Sequence, residues 1–240
     1  WSLLNPLATV AIYTLVFSYF FKIQPPVGDP SGVKNFALFL LCGLIGWNFF
    51  ANSLIGSMEA LIGNSNLIKK VYFPRELLVT ATVASLAVTA VIEFAVLGVI
   101  LLVVGSMVIP WIPVLLLLLG VQMMFVLGIG LVLGPCNVYY RDIQHLMTIV
   151  IQVLFYLTPI VYPITLVPEH ASIAGYSIPL RAIYELNPLV EFVTAYRNVL
   201  YDLRMPPLAT WAYLIAWSVG MLALGLWVFG RLDRRLAEEV

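Results

Sequence analysis

Six stretches of this 240-residue chain run for about 20 residues or more with at most one charged side chain, and that pattern constrains the fold more than any other feature. They are Leu3–Phe21, Phe36–Ile55, Leu77–Val104 (interrupted by Glu93), Trp111–Leu133, Ile143–Tyr162 and Leu208–Phe229. A helix needs ~20 mostly apolar residues to cross a bilayer core, so six would take about 120 and leave enough for connections. Hydrophobic residues make up 62% of the chain and charged residues only 10%, against ~25% charged in soluble domains. A soluble domain of this length could not hide that much apolar surface, and a disordered chain would not carry it. The reading is an all-α integral membrane protein, one domain over 1–240, with six transmembrane helices and both ends on one side.

Twelve Lys+Arg balance twelve Asp+Glu, so no net basic charge invites nucleic acid. Cys42 and Cys136 sit in apolar surroundings and read as packing residues rather than a disulfide or metal site. The first twenty residues lack a basic leading region and a small-residue cleavage site, so they read as a spanning helix rather than a signal peptide. The sequence begins at Trp1, which leaves room for an upstream piece. With both ends cytoplasmic, Lys69, Lys70, Arg75, Arg141, Arg231, Arg234 and Arg235 fall inside. Lys22, Lys34, Arg181, Arg197 and Arg204 fall outside. The inner charges cluster beside span ends, as the positive-inside rule asks.

The stretch Pro163–Pro207 is too polar to cross and too apolar for an ordinary loop. Pro179 marks one short helix, and Asn187-Pro188 reads as N-cap plus first-turn proline of a second. In the second, Leu189, Val190, Phe192, Val193, Tyr196, Val199 and Leu200 form an apolar stripe interrupted by Glu191, Arg197 and Asp202. A 15-residue helix reaches only ~22 Å, short of a ~30 Å core. Two such helices suggest a re-entrant hairpin dipping into the outer leaflet; an amphipathic cap on the surface is the alternative.

No GxxxxGK[ST] phosphate loop, HExxH or GxSxG occurs, nor a His/Cys/carboxylate cluster with metal spacing, and His145 and His170 are solitary. The sequence therefore implies no catalytic residues, no metal and no cofactor bound by this chain. Glu93 is the one carboxylate deep in a span, which makes it either a functional group or a protonated acid packed against a neighbour. The inner loop Gly56–Glu76 says more. After a break at GNSN, a short cytoplasmic helix over about 64–73 puts Leu67, Ile68, Val71 and Tyr72 on one face beside Lys69-Lys70, and Pro74 opens the next span. Such a segment suits a partner's groove or an anionic lipid surface equally.

The runs NSNLIKKVYFPRELL, NVYYRDIQHLMTIVIQVLFYLTPIVYP and ELNPLVEFVTAYRNVLY resemble the ABC-2 permeases that export lipid-linked polysaccharide. That family comprises the O-antigen (Wzm-type), capsule, teichoic-acid and galactan exporters. The similarity runs in order over most of the chain. It implies the ABC-2 (type V exporter) architecture in a bacterial plasma (inner) membrane: a homodimer with two copies of a cytoplasmic ATPase that holds the ATP and Mg. Asn64–Tyr72 would be the coupling helix, its contacts made by Asn66, Leu67, Ile68, Lys69, Lys70, Val71 and Tyr72. The loop around Asn137–Asp142, with Arg141 and Asp142, would make a second contact. The hairpin over 177–202, with Asn187, Pro188, Glu191, Tyr196 and Arg197, would gate the outer mouth. The family also carries an amphipathic interface helix before its first span, which this sequence lacks; that would remove part of the ATPase contact.

The resemblance further implies that the first and fifth spans line the conduit. Their aromatics fit a path on which sugar rings stack: Tyr13, Phe17, Phe20 and Phe21 recur at helical spacing, and Phe155, Tyr156 and Tyr162 crowd the end of the fifth span. Interfacial anchoring is the alternative for these rings. The expected function is thus the membrane subunit of an exporter of undecaprenyl- or decaprenyl-type lipid-linked polysaccharide. Rivals are an ABC-2 exporter of a drug or small lipid, a proton-coupled transporter centred on Glu93, and an assembly factor without transport.

Overall fold

An apolar segment in hydrocarbon must pair its own N–H and C=O groups, and a helix does so without help from other segments. The computed structural model describes residues 27–140, 142–173 and 176–239, with Ile12, Leu15 and Val16. The first apolar stretch therefore lies almost wholly outside the described residues. In chain order the elements are α1 (Phe36–Gly63), α2 (Ser65–Lys70), α3 (Glu76–Val103), α4 (Ile112–Tyr139), α5 (Ile143–Leu157), β1 (Ala171–Ile173), β2 (Tyr176–Ile178), α6 (Leu180–Glu185), α7 (Pro188–Arg197) and α8 (Leu208–Glu239). Among the described residues four helices are long and apolar enough to cross a membrane: α1, α3, α4 with its 3-10 lead from Ile109, and α8 up to Asp233.

The helices outrun the apolar stretches. α1 continues past Ile55 to Gly63, α4 passes Leu133 and Pro135 to reach Tyr139, and α8 extends beyond Phe229 into the charged tail. Hydropathy marks where apolar side chains stop, whereas a helix stops only where its hydrogen-bond run is broken. α5 differs in the opposite sense. It ends at Leu157, ahead of Pro159, whereas the apolar stretch runs on to Tyr162. Proline has no N–H to donate and disfavours helical geometry at the residue before it, so the helix closes first. At 15 residues it reaches about 22 Å. The all-α expectation also needs one amendment, because Ala171–Ile173 and Tyr176–Ile178 pair as a short antiparallel ribbon, Ser172 opposite Ser177. The alternating ASI and YSI flanking a glycine suit strands better than helix.

The chain packs as two compact units. One comprises the described residues up to Trp47 with Val91–Leu118 and Leu154–Trp211. In it, seven of the ten residues of α7 are buried, Val190 and Tyr196 completely. Gly43 and Gly46 of α1 make the notch that admits α7: a Cβ on Gly46 would lie 2.6 Å from the Tyr196 ring, and one on Gly43 would lie 3.0 Å from Val193. On its other side Tyr196 stacks on Phe94, centroids 4.9 Å apart. After α7 a π-type turn, Asn198–Asp202, ends at Leu203 in the left-handed region, φ 59°. The Tyr201 hydroxyl donates to the Val33 carbonyl at 2.9 Å, and the Asp202 carbonyl accepts from the Ser31 amide at 3.2 Å. These bonds clamp the 28–35 loop to that turn.

The other unit comprises Asn48–Ala90, Leu119–Val153 and Ala212 onward. Its apolar cluster joins Leu61, Ile68, Val79, Leu131, Val138 and Phe229. α4 and α8 touch backbone to backbone at Gly128, where a Cβ would collide with Met221 main chain, and at Gly225, where one would collide with Gly128. Small residues permit such close crossings between apolar helices.

Candidate functional site

The Ser65–Lys70 helix begins one residue after α1 ends. The Asn64 carbonyl accepts from the amides of Leu67 and Ile68, at 2.9 and 3.1 Å, and the Asn64 side chain donates back to the Ala60 carbonyl at 2.8 Å. The helix stops at Lys70 because Val71 is extended and Pro74 disfavours helix at Phe73. That early stop alters the expected face. Ile68 alone turns inward, 6% exposed within the apolar cluster, while Leu67, Val71 and a fully exposed Tyr72 point to solvent beside Lys69 and Lys70. Asn66 is exposed as well. A short segment anchored by one residue thus offers three large apolar side chains and two cations to whatever lies opposite.

Next along the chain, Arg75 donates to the Asp233 carbonyl at 2.6 Å and pairs with its carboxylate at 3.0 Å. The stretch expected to make a second contact is only partly exposed. Asn137 is fully buried near the end of α4, so it cannot meet a partner, because helix α4 continues through Tyr139 where a loop was expected. Tyr140 and Asp142 are exposed, and Arg141 lies outside the described residues.

Of the aromatics expected to line a conduit, Tyr13, Phe17, Phe20 and Phe21 lie outside the described residues. Phe155 meets Trp47 and Tyr156 edge-on, with centroids 5.6 and 5.5 Å apart. Tyr156 is exposed, and the Tyr162 hydroxyl folds back to donate to the Tyr156 carbonyl at 3.0 Å. The sequence reading missed a feature of α5. His145, Thr148 and Gln152 are all exposed, and their i, i+3, i+7 spacing draws a polar line along a helix whose other residues, Gln144, Phe155 and Tyr156 aside, are aliphatic or Met. That spacing was legible in the residues.

Between α6 and α7, the Asn187 side chain caps α7 by accepting from the Leu189 amide at 3.0 Å, with Pro188 in the first turn. Thr210 donates to the half-buried Glu191 carboxylate at 3.2 Å. Burial pushes the Glu191 pKa up, the Thr210 bond opposes that, and Glu185 adds to the rise. Arg197 is buried. Its guanidinium donates to the carbonyls of Pro159 at 2.6 Å, Phe39 at 3.4 Å and Ile160, and lies 3.8 Å over the Phe39 ring. Burial pulls its pKa down to about 9, opposed by Cys42 and Asp202, so it remains a cation at neutral pH. Three main-chain acceptors and an aromatic face replace the water it has lost.

Glu93 is half-exposed on α3 and makes no hydrogen bond or ion pair among the described residues. No group of three or more His, Cys, Asp or Glu able to hold a metal occurs among those residues.

The chain matches the ABC-2 type transporter family over residues 1–201. It is 29% identical to an O-antigen export system permease protein RfbA of Klebsiella pneumoniae, covering 99% of this chain and 85% of that protein. A second Klebsiella pneumoniae protein of that name is 30% identical over 99% of this chain and 85% of its own length. One from Myxococcus xanthus is 27% identical over 100% and 86% respectively.

Proposed function

This chain belongs to the ABC-2 type transporter family, and from that premise we propose that it is the membrane subunit of an ATP-driven exporter of lipid-linked polysaccharide of the O-antigen class. The observation that carries the reading is similarity over nearly the whole chain to proteins named O-antigen export permeases. The chain is a permease that leaves ATP hydrolysis to a separate ATPase, two copies of which serve a permease homodimer.

The α2 segment fits the partner-facing role. Its exposed Leu67, Val71 and Tyr72 are large apolar groups of the kind that fill a groove, and Lys69 and Lys70 give it a basic rim. Six spans, counting the first apolar stretch and α5, put both ends in the cytoplasm, with α2 there and the α6–α7 hairpin re-entering from the outer face. ATP binding in the partner pushes α2, the protomers part, and the lipid-linked end enters ahead of its glycan. Along α5, the polar line of His145, Thr148 and Gln152 offers hydrogen bonds to sugar hydroxyls, and Tyr156 offers a ring for stacking. A surface of alternating donors, acceptors and rings suits a polymer that must slide rather than be held.

Co-purification with the ATPase encoded beside it, followed by ATP hydrolysis with and without lipid-linked glycan, tests the reading. A stable two-plus-two complex whose hydrolysis and export respond to glycan is expected. Purification without any ATPase, or transport that survives ATPase loss and stops in Glu93→Gln, would overturn it in favour of proton coupling. Stimulation by a drug or small lipid and not by glycan would replace the substrate class alone.

A further inference from the structure

Resting on the reading of α2 as the partner-facing segment, we propose that Asn137 and Gln144 are positioning residues, forming a polar tie that carries a push on α2 into the start of α5. Asn137 is completely buried on the last turn of α4. Its amide nitrogen donates across to the Met58 carbonyl of α1 at 3.1 Å, and its amide oxygen accepts from the Gln144 main-chain N–H at 3.2 Å. Gln144 is the second residue of α5, so that N–H is one of the first-turn donors a helix leaves unpaired. The Gln144 side chain then donates to the Glu59 carboxylate at 2.7 Å. Neighbouring residues of α1, Met58 and Glu59, are thereby bound to the beginning of α5 through one buried amide and one bond to a surface carboxylate.

The same end of α1 is bound to α2. Asn64 bonds back to the Ala60 carbonyl, and Ile68 packs in one cluster with Leu61 of α1 and Val138, the residue after Asn137. A displacement of α2 must therefore drag the last turns of α1, and those turns cannot move without Gln144. Packing alone would not select an amide at position 137. An apolar side chain of similar size would make neither bond, whereas the amide fixes both distance and direction between two helices. At the centre of the tie the Asn137 amide has lost water and depends on the Met58 carbonyl and the Gln144 N–H for partners.

The test uses the permease–ATPase complex, comparing Asn137→Leu, Gln144→Ala and the double variant for assembly, basal ATP hydrolysis and glycan exported per ATP. Assembly and basal hydrolysis stay near wild type, while export per ATP falls roughly three- to thirtyfold, the span of a coupling change carried by an internal network. The double variant is no worse than the more severe single one, as members of one network are not additive. Asn137→Asp, which keeps the acceptor for Gln144 and loses the donor to Met58, restores part of the coupling. If Asn137→Leu fails to accumulate, Asn137→Asp decides the bond to Met58 and Gln144→Ala, whose side chain is only partly buried, decides the bond to Glu59; unchanged export per ATP in both overturns the tie. A wild-type complex that exports, beside variants with unchanged export per ATP, overturns the tie alone. Export and hydrolysis falling in proportion also overturns it. A wild-type complex without glycan-dependent export overturns the exporter reading, and the tie with it.

Discussion

The short helices α2 and α7 are held in opposite ways. Helices this short are marginal by themselves and depend on their surroundings. α7 has a side-chain N-cap and a first-turn proline, and seven of its ten residues are buried. α2 has no side-chain cap bond and buries only Ile68 of its six residues. The protein's own packing consumes the apolar face of α7, whereas most of the apolar surface around α2 is left for something else. The difference separates a helix that completes the fold from one that the fold presents.

The severest way to break this comparison is at Arg197. Truncation in Arg197→Ala leaves the Pro159 and Ile160 carbonyls without their donor and removes the contact over Phe39. A loss of about 3 kcal/mol or more is expected, read as a large fall in thermal stability in detergent. Unchanged melting would mean that α7 is not held as described. Beyond the end of the other helix, Tyr72→Asp leaves stability within about 0.5 kcal/mol, because the side chain is fully exposed among the described residues. It weakens binding to the ATPase by about 2 kcal/mol, as loss of an aromatic anchor does. Titration of the purified ATPase against the variant measures this, and undiminished binding would remove α2 from the interface. The smallest effect sharpens the contrast in capping. Asn187→Ala costs about 1 kcal/mol and lowers the melting temperature modestly. The corresponding change at Asn64, whose side chain makes no cap bond, costs less of the helix itself. Equal costs would show that capping does not distinguish the two.

Much of the fold was legible because an apolar run of this length has few forms open to it. The helices α1, α3, α4 and α8 follow from that, and so does the start of α7, where Asn187-Pro188 supplies a cap and a first turn. The extent of the helices was less legible. α1 and α8 run on with polar residues that carry no stop signal, and the ribbon at 171–178 owes its form to eight residues too few to read against helix. At the site, the α2 segment was visible as a cluster of apolar and basic residues between a break and a proline. The division of labour within it was not, because periodicity over six residues cannot tell which one residue will find a core.

The sequence by itself determined that the chain is a helical membrane protein and that Ser65–Tyr72 is an exceptional connection, since both follow from local composition. Tertiary structure alone decided that Ile68 turns inward while Tyr72 does not, that Arg197 is buried, and that Asn137 joins α4 to α1 and α5. The physical reason lies in the acceptors. Arg197 and Asn137 bond to main-chain carbonyls of Phe39, Pro159, Ile160 and Met58. Every residue carries such a carbonyl, so nothing in a sequence marks the ones that long-range packing will bring within reach.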